Sequence, residues 1–429
     1  MPRILLVAAT TGYQTRSFAK AARGRAIDVT LATDRCHVLE DPWRDRAIAV
    51  RFEEPARAAE ILSAALSDTP VDGIVAVADR PALVAAFTAE LLGLPFHPPK
   101  AVAACRDKHK MRELFAAAGL TVPRNFRVAL HTDPRGISSG VRFPCVLKPL
   151  GLSASRGVIR ANNPAEFIAA FERIRRILEQ PEIQQLHEEL NSAIQVEDYI
   201  EGREFALEGL MTRGKLEVLA IFDKPDPLEG PFFEETIYVT PSRESAATQR
   251  AIVAAAREAV RALGLYHGPI HAEMRVNAKG VHMLEIAARP IGGLCARALR
   301  FEGSLTRKEV TLEELVILHA IGEMPESLVA TPPASGVMMI PVPGAGVYES
   351  VSGVESARST AGIDDVVITA KQGQKLAPLP EGASYAGFLF ASGADPAAVE
   401  ESLRQAHSRL KFEILASLDI LAVRPPDML

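Results

Sequence analysis

The sequence is poor in the residues that build small, specialised sites. Four cysteines and one tryptophan stand among 429 residues. Cys36, Cys105, Cys145 and Cys295 share no paired spacing, which argues against a zinc knuckle or a disulfide framework and for small buried hydrophobes in a reducing compartment. No apolar run approaches the roughly 18 residues needed to cross a bilayer, so no membrane partner is expected. Charge blocks and low-complexity tracts are missing as well, and a net charge of −5 offers no footprint for nucleic acid. The N-terminus, MPRILLVAAT, enters a strand without the cleavage pattern of a signal peptide, so the cytoplasm is the expected compartment. Glycine is scarce where a dinucleotide site would want it. The turn AATTGYQT has one glycine in place of three, which denies pyrophosphate a close approach to the backbone, and Asp34 reads as a surface acid.

What is present, 48% hydrophobic and 24% charged residues, is the composition of a globular chain of about three domains. Over residues 1–100, strands at 4–7, 29–31 and 73–77 alternate with helical patterns at 14–22, 58–66 and 83–92, a βαβ rhythm that predicts a parallel, Rossmann-like sheet. A compact helix follows, with Asp107 as cap, Met111, Leu114, Phe115 and Ala118 on one stripe, and Gly119 as stop. Another opens at Asn163-Pro164, with Glu166 completing a capping box and Phe167, Phe171, Ile174 and Leu178 as its apolar stripe. Strands at 194–199, 205–211 and 216–222 precede a helix carrying Ile252, Ala256, Val260 and Leu263 on one face. From residue 323 to 429 the pattern becomes short strands, Gly and Pro turns, and a late helix capped by Asp395-Pro396. The fold class is therefore α/β and α+β, divided at 1–100, 101–322 and 323–429.

Three segments carry chemistry. In FPCVLKPLGLSASRGV, Lys148 interrupts an apolar strand, and an ammonium there needs solvent or a fixed anion. The loop after it offers backbone N–H groups, the hydroxyls of Ser153 and Ser155, and flexible backbone at Gly151 and Gly157, which suits a phosphate. An ordinary turn with a snorkelling lysine is the plain alternative. In VEDYIEGREF, Glu197 and Glu204 lie near a strand end. In GPIHAEMRVNAKGVHMLEIAARPIGG, His271, Glu273 and Arg275 alternate with apolar residues, so one face of the strand is polar. A four-residue turn at 277–280 would pair Val276 with Val281 and put Glu273 and Glu285 on opposite faces of the hairpin. A three-residue loop of Ala278, Lys279 and left-handed Gly280 is favoured turn chemistry, and it sets Glu273 opposite Glu285 and His271 opposite Ala287, with Arg289 just beyond on that face. Carboxylates facing each other at about 5 Å repel unless a cation lies between them, and magnesium suits such oxygen donors. A surface acid pair is the alternative.

Taken together these motifs resemble the ATP-grasp superfamily over about residues 100–300. DK stands before a helix, KP before a glycine/serine loop, then come E-x-Y-I-x-G-x-E and Glu…Glu-x-x-x-Arg, in the family's order. The resemblance implies an ATP-grasp fold with a Rossmann-like pre-ATP-grasp domain, a lid at about 143–201 and a C-terminal α+β domain of ligase type. It implies that Lys108 and Lys148 hold the ATP phosphates, with Ser153, Ser155, Arg156 and Gly157 closing over them. Glu197, Tyr199 and Ile200 would form the adenine hinge and Glu204 would bind ribose. Glu273 and Glu285 would ligate Mg2+, with Mn2+ an acceptable substitute, and Arg289 would meet the reacting carboxylate or acyl phosphate. His271 is a candidate base, and Lys224, Glu234, Glu235, Gly292 and Gly293 are candidates for the substrate pocket. The segments FDKPDPLEGPFFEETIYVTPS and GVMMIPVPGAG look like the L-amino-acid ligase branch. The implied function is ATP-dependent joining of a small-molecule carboxylate, such as an amino acid, to an amine through an acyl phosphate, releasing ADP and phosphate. A homodimer is compatible with it. The rival readings are another ATP-grasp chemistry, carboxylase or formate-using transferase, and a nucleotide-binding protein without turnover. One departure is plain: Ala287 stands where the family motif has asparagine, which puts a second metal ion in doubt.

Overall fold

The computed structural model describes residues 1–9, 13–34, 47–303, 308–324, 327–331 and 333–416. The middle of the AATTGYQT turn and Cys36 lie outside them. Strands β1 (Arg3–Ala8), β2 (Asp28–Thr33), β3 (Ala47–Ala49) and β4 (Gly73–Val77) form a parallel sheet in the order β3-β2-β1-β4. Residues 4–8 are all buried, as a parallel strand covered on both faces requires. Helices α1 (Tyr13–Gly24) and α2 (Pro55–Ala65) supply crossovers, and α3 (Asp79–Leu92) leads out of the last strand. Among the described residues no helix is long and apolar enough to cross a membrane. Cys105, Cys145 and Cys295 are buried and free, and burial pushes the Cys145 thiol up to about 12.

Helices α4 (Pro99–Arg106) and α5 (Lys108–Ala117) meet at Asp107, whose carboxylate accepts from the N–H groups of His109 and Lys110. Met111 and Phe115 are buried as the stripe demands, whereas Ala118 is exposed and Arg112 takes an inward place beside Met111. Strands β5 (Asn125–Ala129), β6 (Cys145–Pro149), β7 (Ile159–Ala161) and β8 (Ala193–Asp198) make an antiparallel sheet in the order β5-β8-β6-β7. Helix α6 (Pro134–Ser138) is a short connector. Helix α7 (Pro164–Leu178) begins where Asn163 caps the N–H of Glu166, and it buries Phe167, Phe171, Ile174 and Leu178. This sheet holds the segment expected to form the lid, 143–201, and β5 joins its edge.

Strands β9 (Arg203–Thr212), β10 (Lys215–Asp223), β11 (Ile237–Thr240), β12 (Gly268–Asn277) and β13 (Gly280–Ala287) form the floor. The division expected at 323 does not interrupt the sheet. It runs β13-β12-β9-β10-β11 and continues through the strands Ala334–Ile340, Gly387–Gly393 and Ile363–Ile368. The free edge of β11 accounts for this, because unpaired backbone groups there bond to the next strand, Ile237 opposite Met338. The β12–β13 hairpin reaches the expected pairing by another route. Its turn is the tight one, with Asn277 opposite Gly280 and Val276 opposite Val281, a register that would separate the two glutamates if it ran unbroken. An irregularity beyond Met274 skips Leu284 and restores Glu273 opposite Glu285 and His271 opposite Ala287. A bulge adds one residue to a strand, and alternation alone does not reveal it.

Three histidines join the layers. His97, after α3, accepts from the N–H of Tyr266 through Nδ1 and bonds the Pro269 carbonyl through Nε2, each at 3.1 Å, which fixes a neutral tautomer. Gly268, at φ +130°, admits this contact: a Cβ there would lie 3.1 Å from His97 Nε2. The rings of His267 and His319 stack 4.2 Å apart, and His319 Nε2 meets Thr212 Oγ1 at 2.9 Å. Burial drives both His97 and His319 down to about 4. Between about pH 6.5 and 4 the unfolded chain therefore binds protons that the folded chain refuses, so stability falls as the pH drops through that window. We expect the thermal midpoint to decline by several degrees over it, less steeply in His97→Asn. A midpoint that stays level between pH 6.5 and 4.5 would contradict neutral buried rings.

Candidate active site

A cavity of about 350 Å³ lies between lid and floor, reached by side chains from all three parts of the chain. A larger groove of about 790 Å³ along the helix Ala246–Leu263 is lined by Arg250, Arg257 and Arg300 without an acid. Charges of both signs converge in the smaller one, which identifies it as the site.

Lys148 points at Glu197. The register of β6 against β8 sets Val146 opposite Glu197 and Lys148 opposite Gln195, and Lys148 Nζ lies 2.6 Å from Glu197 Oε2. Arg112 donates to Oε1 of the same carboxylate at 2.8 Å, and Gln195 donates to it at 2.5 Å. Burial acts to raise the Glu197 carboxyl, but Arg112 and Lys148 overcome it and hold it far below the usual range. Burial lowers Lys148 despite the pull of Glu197. Glu197 thus lines the cavity as the buried counter-ion of Arg112 and Lys148. Two cations answered by one carboxylate leave positive charge facing the cavity. Lys108, at the start of α5, adds to it from between the Leu152 carbonyl at 3.3 Å and Glu285 at 3.5 Å. Ala154 and Ser155 at φ 55° and 54° turn the intervening loop left-handed, a conformation costing on the order of 1–3 kcal/mol per residue and suited to presenting N–H groups to an anion. Ser153 and Ser155 line the cavity, whereas Arg156 turns away to Gln180 at 2.6 Å, and the Gly157 N–H bonds the Pro380 carbonyl at 2.9 Å.

Tyr199 and Ile200 lie on the cavity wall as expected. Tyr199 stacks on Phe233, with Arg160 4.1 Å from its ring centre and Arg275 5.2 Å. Arg275 also donates to Glu204 Oε2 at 2.9 Å and to the Ile200 carbonyl at 2.7 Å, so the hinge is tied to the floor strand β12.

The opposite end is acidic. Lys224, 3% exposed, reaches Glu204 at 2.9 Å, Glu235 at 2.6 Å and Glu273 at 3.1 Å. One ammonium serves three carboxylates whose oxygens lie within 4.8 Å of one another. Burial and the neighbouring Glu273 raise Glu235 to about 7. The ammonium thus occupies the place that a cation would take among these three oxygens. Glu273 and Glu285 face each other in register, yet each leans on a different lysine, Lys224 and Lys108 respectively. His271, the candidate base, lines the cavity. Its Nδ1 pairs with buried Glu208 and its Nε2 lies 3.3 Å from Glu273; burial acts to lower its pKa, but Glu208 raises it to about 9, which favours the charged ring. Arg289 lines the cavity but is held by Asp79, Nε to Oδ1 at 2.8 Å. Gly292 and Gly293 also line it, and a Cβ on Gly293 would meet the Phe388 ring at 3.2 Å.

Sequence reading missed Arg112, Asp79 and Glu208 as members of this network, and it placed Arg275 on the polar face of β12 without giving it a role. A signal for Glu208 was available: Glu204, Ala206 and Glu208 share one face of β9 by period two. Arg112 and Asp79 carry no such mark. We expect Glu197→Gln to cost about 3–5 kcal/mol of stability, because two buried cations lose their anion, and Lys148→Met to cost less, because Arg112 still answers Glu197. Urea unfolding measures both, and a Glu197→Gln protein as stable as the parent would refute the counter-ion assignment.

Comparison with known proteins agrees with this geometry. Residues 19–96 match the ATP-grasp N-terminal domain, 141–298 the ATP-grasp domain, and 338–415 the L-amino acid ligase C-terminal domain 2. The alanine–anticapsin ligase of Bacillus subtilis (strain 168) is 31% identical over 217 residues, 47% of this chain and 45% of that protein. The dapdiamide A synthase of Enterobacter agglomerans is 25% identical over 223 residues, 51% of this chain and 49% of that protein. The chain thus spans about half the length of these relatives. The crystal structure of an L-amino acid ligase from Bacillus licheniformis superimposes with a TM-score of 0.81 at 24% identity, covering 97% of this chain and 99% of that one, which establishes the fold. The chain belongs to the ATP-grasp superfamily and carries a C-terminal domain of the L-amino acid ligase type.

Proposed function

We propose that this chain is an ATP-dependent carboxylate–amine ligase acting on small molecules, an amino acid among them. The observation that carries the reading is one cavity with cations in excess at one end and carboxylates in excess at the other. A carboxylate is a poor electrophile, and oxide is a poor leaving group. Transfer of phosphate from ATP makes an acyl phosphate that an amine can attack, with ADP and then phosphate as products.

Lys108 and Lys148 hold the phosphates from the cationic end, where Arg112 keeps Glu197 from neutralising Lys148 fully. The loop of Ser153 and Ser155 adds N–H donors above them and excludes water from the reactive mixed anhydride. Tyr199 and Ile200 border the base, and Glu204, steadied by Arg275 and Lys224, lies where a ribose would reach it. Glu273 and Glu285 would hold magnesium, with manganese fitting the same donors, and the methyl group of Ala287 adds no further ligand. Bound there, the metal supplies charge to phosphoryl oxygens. His271 keeps Glu273 ionised and oriented by donating to it, and Glu235 offers a carboxylate to an ammonium group. Arg289 faces the acyl group, whose carbonyl oxygen gathers negative charge as the amine attacks. Tyr385 and Met339, from the ligase-type C-terminal domain, line the same cavity, which favours this branch over a carboxylase.

We expect phosphate release to depend on an amino-acid mixture and an amide product to appear by mass spectrometry. Phosphate release indifferent to amino acids would count against ligation. Lys148→Ala should lower turnover about a hundred- to thousand-fold. Glu285→Gln should shift the magnesium titration to much higher concentration, and an unchanged titration removes the metal assignment.

A further inference from the structure

The N-terminal domain contributes more to the cavity than a wall. Asp79 is the first residue of α3 and follows Ala78, whose φ of 79° is a conformation that L-residues rarely adopt. No side chain caps this helix. A carboxylate in the first turn would serve the helix well by turning back on its own N–H groups. Asp79 reaches into the cleft instead and takes Arg289 with both oxygens, Nε to Oδ1 at 2.8 Å and Nη2 to Oδ2 at 3.3 Å. Arg289 Nη1 donates to the Pro290 carbonyl at 3.1 Å. Three of the five guanidinium donors are then occupied, which leaves one N–H on each terminal nitrogen for a ligand.

An ordinary ion pair between domains would explain less. The contacts joining the N-terminal domain and α4 to the lid lie elsewhere, where Arg80 and Arg106 share Glu188 at 2.7 Å and 2.8 Å. Asp79 and Arg289 instead both border the cavity, together with Lys108 and Glu285. Arginine on a flexible stem pointing at an acyl group has many rotamers, and a two-point grip removes most of them before substrate arrives.

We infer that Asp79 is a positioning residue, which fixes the Arg289 guanidinium so that its two remaining N–H groups meet the carboxylate or acyl phosphate, and that the N-terminal domain thereby completes the active site. The reaction served rests on the ligase reading above; the geometric role does not. Asp79→Asn keeps the shape and loses the charge. It should lower kcat about a hundredfold and raise KM for the carboxylate, with KM for ATP within about twofold of the parent, while the buried guanidinium that loses its anion lowers the thermal midpoint as well. Asp79→Glu should recover part of the loss. Combined with Arg289→Lys, Asp79→Asn should add almost nothing, because the two act as one unit. Parent turnover in Asp79→Asn, or fully additive losses in the double variant, would overturn the inference.

A second measurement is independent of turnover. The Nε–H resonance of Arg289, assigned by its disappearance in Arg289→Lys, should move and exchange faster in Asp79→Asn. An unmoved resonance would mean that Asp79 does not hold the guanidinium. If the parent shows no phosphate release with any amino-acid mixture, the ligase reading fails, and this resonance decides the role of Asp79 alone.

Discussion

Lys224 carries its ammonium into a nearly dry pocket, and an isolated charge there would cost several kcal/mol. Glu204 on β9, Glu235 before β11 and Glu273 on β12 answer it from separate segments, so the lysine at the end of β10 ties four pieces of the floor to one point. Three carboxylates cannot lie within 4.8 Å of one another without such a cation. Arg275 on Glu204 and His271 beside Glu273 share the task, and with Glu208 the floor still carries more carboxylates than cations, which keeps the pocket receptive to further positive charge. Structural constraint and functional capacity therefore come from one arrangement.

The rule recurs with the opposite sign on the lid, where Glu197 is shared between Arg112 and Lys148. Here the surplus is positive. It spans α5, β6 and β8, so the charge that would meet a phosphate is also the charge that locks the lid sheet to the helix beneath it. Lid and floor then oppose surplus cations to surplus carboxylates across one cavity, an arrangement suited to a ligand with an anionic middle and bound metal.

The domains are less separate than their sequence patterns. The floor sheet runs unbroken into the C-terminal strands, and the lid leans on the C-terminal domain through Arg173 and Glu381, 2.6 Å apart, and through Gly157 and Pro380. Tyr385, a few residues further along that loop, borders the cavity. With Asp79 and Arg289 on the other side, residues from every part of the chain enclose the site.

The sequence by itself determined the parallel N-terminal sheet, the helices opened by Asp107 and Asn163, the polar face of β12 and the identity of most charged residues in the cavity. These follow from local rules of periodicity, capping and turn chemistry, and each is complete within about 20 residues. The pairing of Glu273 with Glu285 was reached through the wrong turn, because the residue that restores the register is a bulge at Leu284, set by how the strand packs rather than by its alternation. The protonation of His271 depends on Glu208, 63 residues away, and the hold on Arg289 depends on Asp79, 210 residues away. A polar residue in an apolar stretch announces that a partner exists but does not say which. Only tertiary structure decided that Arg112 and Lys148 share one acid and that His271 pairs with Glu208, because buried charges are settled by neighbours that folding brings from elsewhere in the chain.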